Sequence, residues 1–243
     1  MKRFLLNFSY DGTDFFGWQK QKNEKTIQFE MENCLNKIFK KETNLVASGR
    51  TDRGVHSYNQ YAHFDAQTQM HSENIVKAMN SLLPNSILIK NCSEVENDFH
   101  ARFSAKSKIY LYKIIKKFSP FERNYATFFR STKIDTKKIQ NSIRYFVGAH
   151  DFEIFARDTS QLNTTLCTIF SVNWEEHASY YYFFISSNRF LHNMVRRIVG
   201  TIIKISDKDL PADYIQQIFE KQDYTMLGTT APPNGLYLFD VKY

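Results

Sequence analysis

The chain has 243 residues, with 42% hydrophobic side chains and an aromatic share that includes 22 Phe and 14 Tyr. That is enough apolar material for a core, and with only 8 Gly and 5 Pro it excludes a disordered or low-complexity chain. A formal net charge of +7 points to an acidic partner, nucleic acid being the commonest.

In chain order, residues 3–10 alternate, with Phe4, Leu6, Phe8 and Tyr10 on one side, and predict a strand. Residues 27–40 carry Ile27, Met31, Leu35, Ile38 and Phe39 at helical spacing behind Thr26 as N-cap. Residues 44–48 and 58–66 predict two strands around a polar loop that contains Gly49 and Gly54. A helix is expected at 73–83 with Ser72 as its cap, ended by Pro84-Asn85, and then a strand at 86–95. The second half repeats this order. It has a strand at 107–116, a helix from Asp135 through Val147 stopped by Gly148, and a hairpin of strands at 165–174 and 179–186. A helix at 190–205 presents Phe190, Met194, Ile198 and Ile202 on one face, a shorter helix follows at 211–220, and a strand at 235–242 closes the chain. Two βαββαβ units predict an α+β fold of two ferredoxin-like lobes, each an antiparallel sheet with helices on one face, flanking a central cleft. The lobes are expected at 1–100 and 101–243.

The three cysteines, Cys34, Cys92 and Cys167, lie far apart and form no C-x-x-C pair, so neither a disulfide framework nor a zinc site is expected. They read as buried small hydrophobes. The start, Met1-Lys2-Arg3-Phe4, lacks the apolar region of a signal peptide, and no stretch is long enough to span a bilayer. A cytoplasmic protein without membrane contact is expected.

The densest polar segment is Ser48-Gly49-Arg50-Thr51-Asp52-Arg53-Gly54-Val55-His56. Composition leaves two readings open. It can be a polar turn in which Asp52 caps an amide and the arginines are solvated. It can also hold a carboxylate among cations beside a phosphate-bearing ligand. Cationic neighbours would keep that carboxylate anionic and able to act as nucleophile or base.

The run Gly49-Arg50-Thr51-Asp52-x-Gly54-Val55-His56 resembles the signature loop of the TruA family of tRNA pseudouridine synthases. Five further segments resemble family motifs, in family order. They are Tyr10-Asp11-Gly12-Thr13-x-Phe15-x-Gly17-Trp18-Gln19, then His100-Ala101-Arg102-Phe103-Ser104-Ala105 followed by Tyr110 and Tyr112, and Gly148-x-His150-Asp151-Phe152. The last two are Phe190-Leu191-His192-x-Met194-Val195-Arg196-x-Ile198-Val199-Gly200 and Ala231-Pro232-x-x-Gly235-Leu236-Tyr237-Leu238. Six motifs in order are far more specific than any one of them. The one departure is Arg53, where the family often has a small residue.

The resemblance implies isomerisation of uridine in the anticodon stem-loop of tRNA, at positions 38, 39 and 40. It implies Asp52 as the catalytic carboxylate, Tyr110 as the tyrosine that stacks on the target base, and Arg196 as the arginine that pairs with Asp52. It implies that Arg50 helps to evict the base, and it makes Leu238 a candidate for packing beneath it, with core packing as the equal rival. Simple phosphate binding is the rival role for Arg50. His56 and His192 read as structural or RNA-facing, and His150-Asp151 as structural. Lys20, Lys22, Lys25, Lys106, Lys108, Lys113, Lys116 and Lys117 supply candidate phosphate contacts. The resemblance also implies a homodimer. No cofactor and no metal are expected, because the isomerisation is redox-neutral and no phosphate-cradling, dinucleotide or H-E-x-x-H motif is present. A synthase of the same fold acting on other RNA positions, and a non-catalytic RNA-binding protein, are the alternatives.

Overall fold

The structure is a computed structural model that describes residues 1–130 and 132–243. It is an α+β chain whose strands pair mostly antiparallel, with five α-helices among the described residues. Contacts divide it into two compact units, Met1–Lys106 together with Tyr237–Tyr243, and Ser107–Leu236.

The first unit runs β1 (Lys2–Tyr10), α1 (Ile27–Phe39), β2 (Val46–Ala47), β3 (His56–Ala66), α2 (Ser72–Leu82) and β4 (Ile87–Val95). Its strands lie in the order β4-β1-β3-β2, each pair antiparallel. The final strand β9 (Leu236–Lys242) pairs with β3 in parallel, through His56 with Tyr237 and Ser57 with Leu238. Alternation puts Phe4, Leu6, Phe8 and Tyr10 of β1 into one core with Ile27, Met31 and Leu35 of α1 and Ile75 and Met79 of α2. Each such buried apolar side chain is worth about 1.5–3 kcal/mol.

Thr26 caps α1 as expected, its Oγ1 accepting the Phe29 N–H at 3.4 Å. The strand expected at 44–48 shrinks to Val46–Ala47, because α1 side chains take the preceding amides. Thr43 N donates to Asn36 Oδ1 at 2.7 Å and Leu45 N to Glu32 Oε1 at 3.1 Å. Ser72 is the first residue of α2 rather than its cap. His71 precedes the helix and makes no side-chain capping bond.

The second unit holds β5 (Ser107–Ile115), α3 (Thr136–Ile143), β6 (Gly148–Asp151), β7 (Leu166–Glu176), β8 (Tyr180–Ser187), α4 (Met194–Asp207) and α5 (Tyr214–Lys221). Its strands lie in the order β5-β8-β7-β6, all antiparallel. Asp135 caps α3 by accepting the Lys138 N–H at 3.0 Å. The helix then tightens at Arg144–Phe146 into a 3-10 turn instead of reaching Val147. Gly148, at φ 112°, does not merely stop a helix. It opens β6, which periodicity did not predict and which pairs His150 with Cys167 of β7. The helix expected from residue 190 begins at Met194, because Asn193 sits at φ 62°, outside helical space. Phe190 therefore belongs to the approach to α4 and not to its apolar face.

The first unit runs on to Lys106, and the closing strand is grouped with it. Ala101 N donates to His63 Nδ1 at 3.1 Å and Tyr243 Oη donates to Ala101 O at 2.8 Å. Lys106 N bonds Lys242 O at 2.8 Å. These bonds tie residues 101–106 and the last strand to the first unit. Among the described residues no helix is long and apolar enough to cross a membrane.

His63 is 5% exposed, and burial, helped by Arg3 and His100, pushes its pKa from 6.5 down to about 4. Between those values the unfolded chain takes up a proton that the folded chain refuses, so stability falls as pH drops from 6.5 toward 4. In urea titrations across pH 7 to 4, His63→Asn, which keeps an acceptor for Ala101 N, is expected to decline less steeply than the parent. Parallel declines would place the acid sensitivity elsewhere.

Candidate active site

The loop between β2 and β3 is built from its backbone outward. Asp52 to Val55 forms a turn closed by Val55 N to Asp52 O at 3.1 Å, with Gly54 at φ 76°. Before the turn, Ser48 Oγ donates to Gln60 Oε1 at 2.5 Å and Gln60 Nε2 donates to Gly49 O at 3.1 Å. Thr51 is buried, its Oγ1 lies 2.7 Å from Tyr10 Oη, and its carbonyl accepts Trp18 N–H at 3.0 Å. Burial pushes the Tyr10 phenol up to about 12, so it keeps its proton at neutral pH. Thr51 is thus anchored inward, while Arg50 and Arg53 on either side are exposed and Asp52 is half-buried.

The segment 10–19 forms the back wall of this loop. A Cβ on Gly12 would stand 2.1 Å from Val55 O, and one on Gly17 would stand 2.7 Å from Thr51 O. Gly17 also has φ 86°, a conformation that side chains rarely adopt. Gly12 N donates to Nδ1 of His56, which is buried and stacked on Tyr237 with ring centroids 4.7 Å apart. His56 is therefore a structural part of the wall. The Arg53 guanidinium lies over the Phe16 ring at 4.1 Å. Leu238, in the same unit, is 1% exposed, and its carbonyl accepts the Ser57 hydroxyl at 3.1 Å.

In the second unit Tyr110 of β5 is 8% exposed, with the Phe190 ring nearly perpendicular to its own at 5.0 Å. Tyr112 is fully buried, 2.7 Å from Thr127 Oγ1 and donating to Pro232 O at 2.8 Å. Burial raises its phenol strongly, which fits a core residue. Arg196 stands in the first turn of α4. Its Nε donates to Ala231 O at 2.7 Å and its Nη1 to Asn193 Oδ1 at 2.9 Å. These bonds fix the guanidinium against the segment 228–231. A glycine pair makes that approach possible, since a Cβ on Gly200 would lie 1.9 Å from Thr229 O and one on Gly228 would lie 2.0 Å from Gly200 O.

Arg50, Asp52 and Leu238 thus belong to the first unit, and Tyr110 and Arg196 to the second. His192 is exposed, and His150 stacks on Phe219 at 4.6 Å while Asp151 accepts Glu153 N–H at 2.9 Å. Three contributors went unread in the sequence. Gly12 and Gly17 were visible only as motif letters, and Arg197, whose Nη1 donates to Ile154 O and Ala156 O, carried no signal at all. Cys34, Cys92 and Cys167 are buried, and burial pushes each thiol up to about 11, so all are protonated at neutral pH.

Gly17→Ala should destabilise the first unit by about 1–3 kcal/mol through backbone strain and displacement of the Thr51–Arg53 backbone. Urea unfolding checks it. An unchanged midpoint would mean that the loop moves aside freely.

Comparison with known proteins gives the family. The family described as tRNA pseudouridine synthase matches residues 7–104 and 142–243. The tRNA pseudouridine synthase A of Caldicellulosiruptor saccharolyticus is 42% identical over 245 residues, covering all of both chains. Those of Geobacillus sp. and Limosilactobacillus reuteri are 40% and 38% identical over all of this chain and 98% and 97% of their own. The chain belongs to the tRNA pseudouridine synthase family.

Proposed function

We propose that this chain converts uridine to pseudouridine in the anticodon stem-loop of tRNA, with Asp52 as the attacking carboxylate. The carrying observation is the setting of Asp52. It is half-buried on a glycine-bounded turn, between two exposed arginines, on a backbone anchored by Tyr10, Trp18 and Gln60.

The reaction breaks the bond from ribose C1′ to N1 of uracil and forms one from C1′ to C5. The C5 hydrogen leaves as a proton and N1 gains one, so atoms and electrons balance within the substrate and no redox partner is needed. A carboxylate serves by attack at C1′ of the ribose or at C6 of the base. Either route needs it anionic. In this reading Arg196 is a further catalytic residue, and the bonds from its Nε and Nη1 hold it in one rotamer. Tyr110, nearly perpendicular to the Phe190 ring, stacks on the target base. Leu238 packs beneath the base.

A paired, stacked uridine cannot reach a carboxylate, so the base must leave the helix at a cost of a few kcal/mol. Arg50, exposed two residues before Asp52, is assigned to filling the vacated space. Recognition is by backbone and shape, with the exposed lysines 22, 106 and 117 meeting phosphate. Lys113 and Lys116 are less available. They lie over the Tyr180 and Tyr181 rings and near Glu122 and Glu176. The strand order β4-β1-β3-β2 of the first unit supports the ferredoxin-like reading of that lobe. A cytoplasmic homodimer completes the proposal.

Tritium release from tRNA transcripts labelled at C5 of uridine tests it. The parent chain should release tritium, and Asp52→Asn should lose at least about a thousandfold while still binding tRNA. Equal release by both would remove Asp52 from the chemistry. Binding without release by either would favour a binding protein.

A further inference from the structure

The segment between Lys116 and Arg130 leaves β5 and comes back to it. Its return is fixed by backbone bonds from Ile115 N to Thr127 O at 2.9 Å and from Thr127 N to Lys113 O at 3.0 Å. Asn234 Nδ2 donates to the carbonyls of Arg123 and Ala126 at 2.8 Å each. Inside the loop, Tyr125 N and Ala126 N both donate to Glu122 O at 2.9 Å, and Arg123 Nη1 donates to Pro120 O at 2.7 Å. The loop therefore has a defined frame.

On that frame aromatic rings face water. Phe121 is 87% exposed, Phe118 58% and Tyr125 39%. Single exposed apolar residues need no explanation, but several rings gathered on one ordered loop add nothing to a core and mark a contact surface. Their flanks carry Lys116, Lys117, Arg123 and Arg130, against Glu122 as the lone acid. Phe118 is braced by the Phe128 ring at 6.0 Å. Cations interleaved with rings suit a polyanion that also offers flat faces. A second copy of the same loop would bring like charges together instead.

We propose that this loop holds unpaired nucleotides of the RNA substrate, with bases stacked on Phe121 and Phe118 and neighbouring phosphates on Lys117 and Arg123. The proposal rests on the reading of the chain as an RNA-modifying enzyme. It adds a site on the second unit, apart from the residues assigned to the chemistry. Because the frame is already hydrogen-bonded, little ordering cost opposes the contact.

The test compares Kd for a labelled tRNA transcript, at one fixed salt concentration, among the parent chain, the double variant Phe118→Ala/Phe121→Ala, and Phe121→Trp. The double variant should bind at least about tenfold more weakly, as expected for loss of base stacking. Phe121→Trp should keep the parent affinity. Tritium release should show the loss in KM rather than kcat, with the melting temperature of the double variant unchanged. An unchanged Kd in the double variant would overturn the proposal. So would a shift in sedimentation without loss of RNA affinity, which would assign the loop to a contact between copies. If the parent binds tRNA but releases no tritium, the isomerase reading fails while Kd still decides the loop. If it binds no tRNA, both fail.

Discussion

Everything proposed for this chain depends on backbone meeting backbone where no side chain fits. The turn that carries Asp52 lies against Gly12 and Gly17, and a methyl group at either would sit 2.1 Å or 2.7 Å from a carbonyl of the loop. A carboxylate used as a nucleophile must be held to within a fraction of an ångström. A solvated polar loop cannot do that alone. Here the rigidity comes from the neighbouring segment, with Trp18 N–H on Thr51 O and the Tyr10 hydroxyl on Thr51 Oγ1. The N-terminal motif is the wall against which the loop carrying Asp52 is set.

The second unit repeats the device. Gly200 lets α4 cross the segment 228–231 at a distance no other residue permits, and Arg196 then ties the two with a bond in each direction. A guanidinium so tied has lost its rotamer freedom during folding. Binding or catalysis need not supply that ordering again. The Arg196 guanidinium is thus ordered before any substrate arrives.

Elements with strong periodicity were legible in the sequence. The alternation of residues 3–10, the helix behind Thr26 and the cap at Asp135 are local, and local rules decide them. Misreadings arose where tertiary bonds or single dihedral angles outvoted periodicity. Glu32 and Asn36 took the amides of residues 43 and 45 from a ladder, Asn193 at φ 62° delayed α4, and Gly148 opened a short strand. The closing strand sided with the first unit through its pairing with β3, a contact between residues 181 apart that no window of sequence contains. For the site, the motif order singled out Asp52, Tyr110 and Arg196 as candidates. It was silent on the glycines as packing devices, since a glycine's role is the space it leaves.

The most direct test of the central claim is a map of the product. A tRNA transcript treated with this chain would be modified with carbodiimide and read by primer extension, which stops at pseudouridine. The account predicts new stops confined to the anticodon arm, at positions 38 to 40, and none after treatment with Asp52→Asn. Stops elsewhere in the tRNA, or the same stops with the variant, would contradict it.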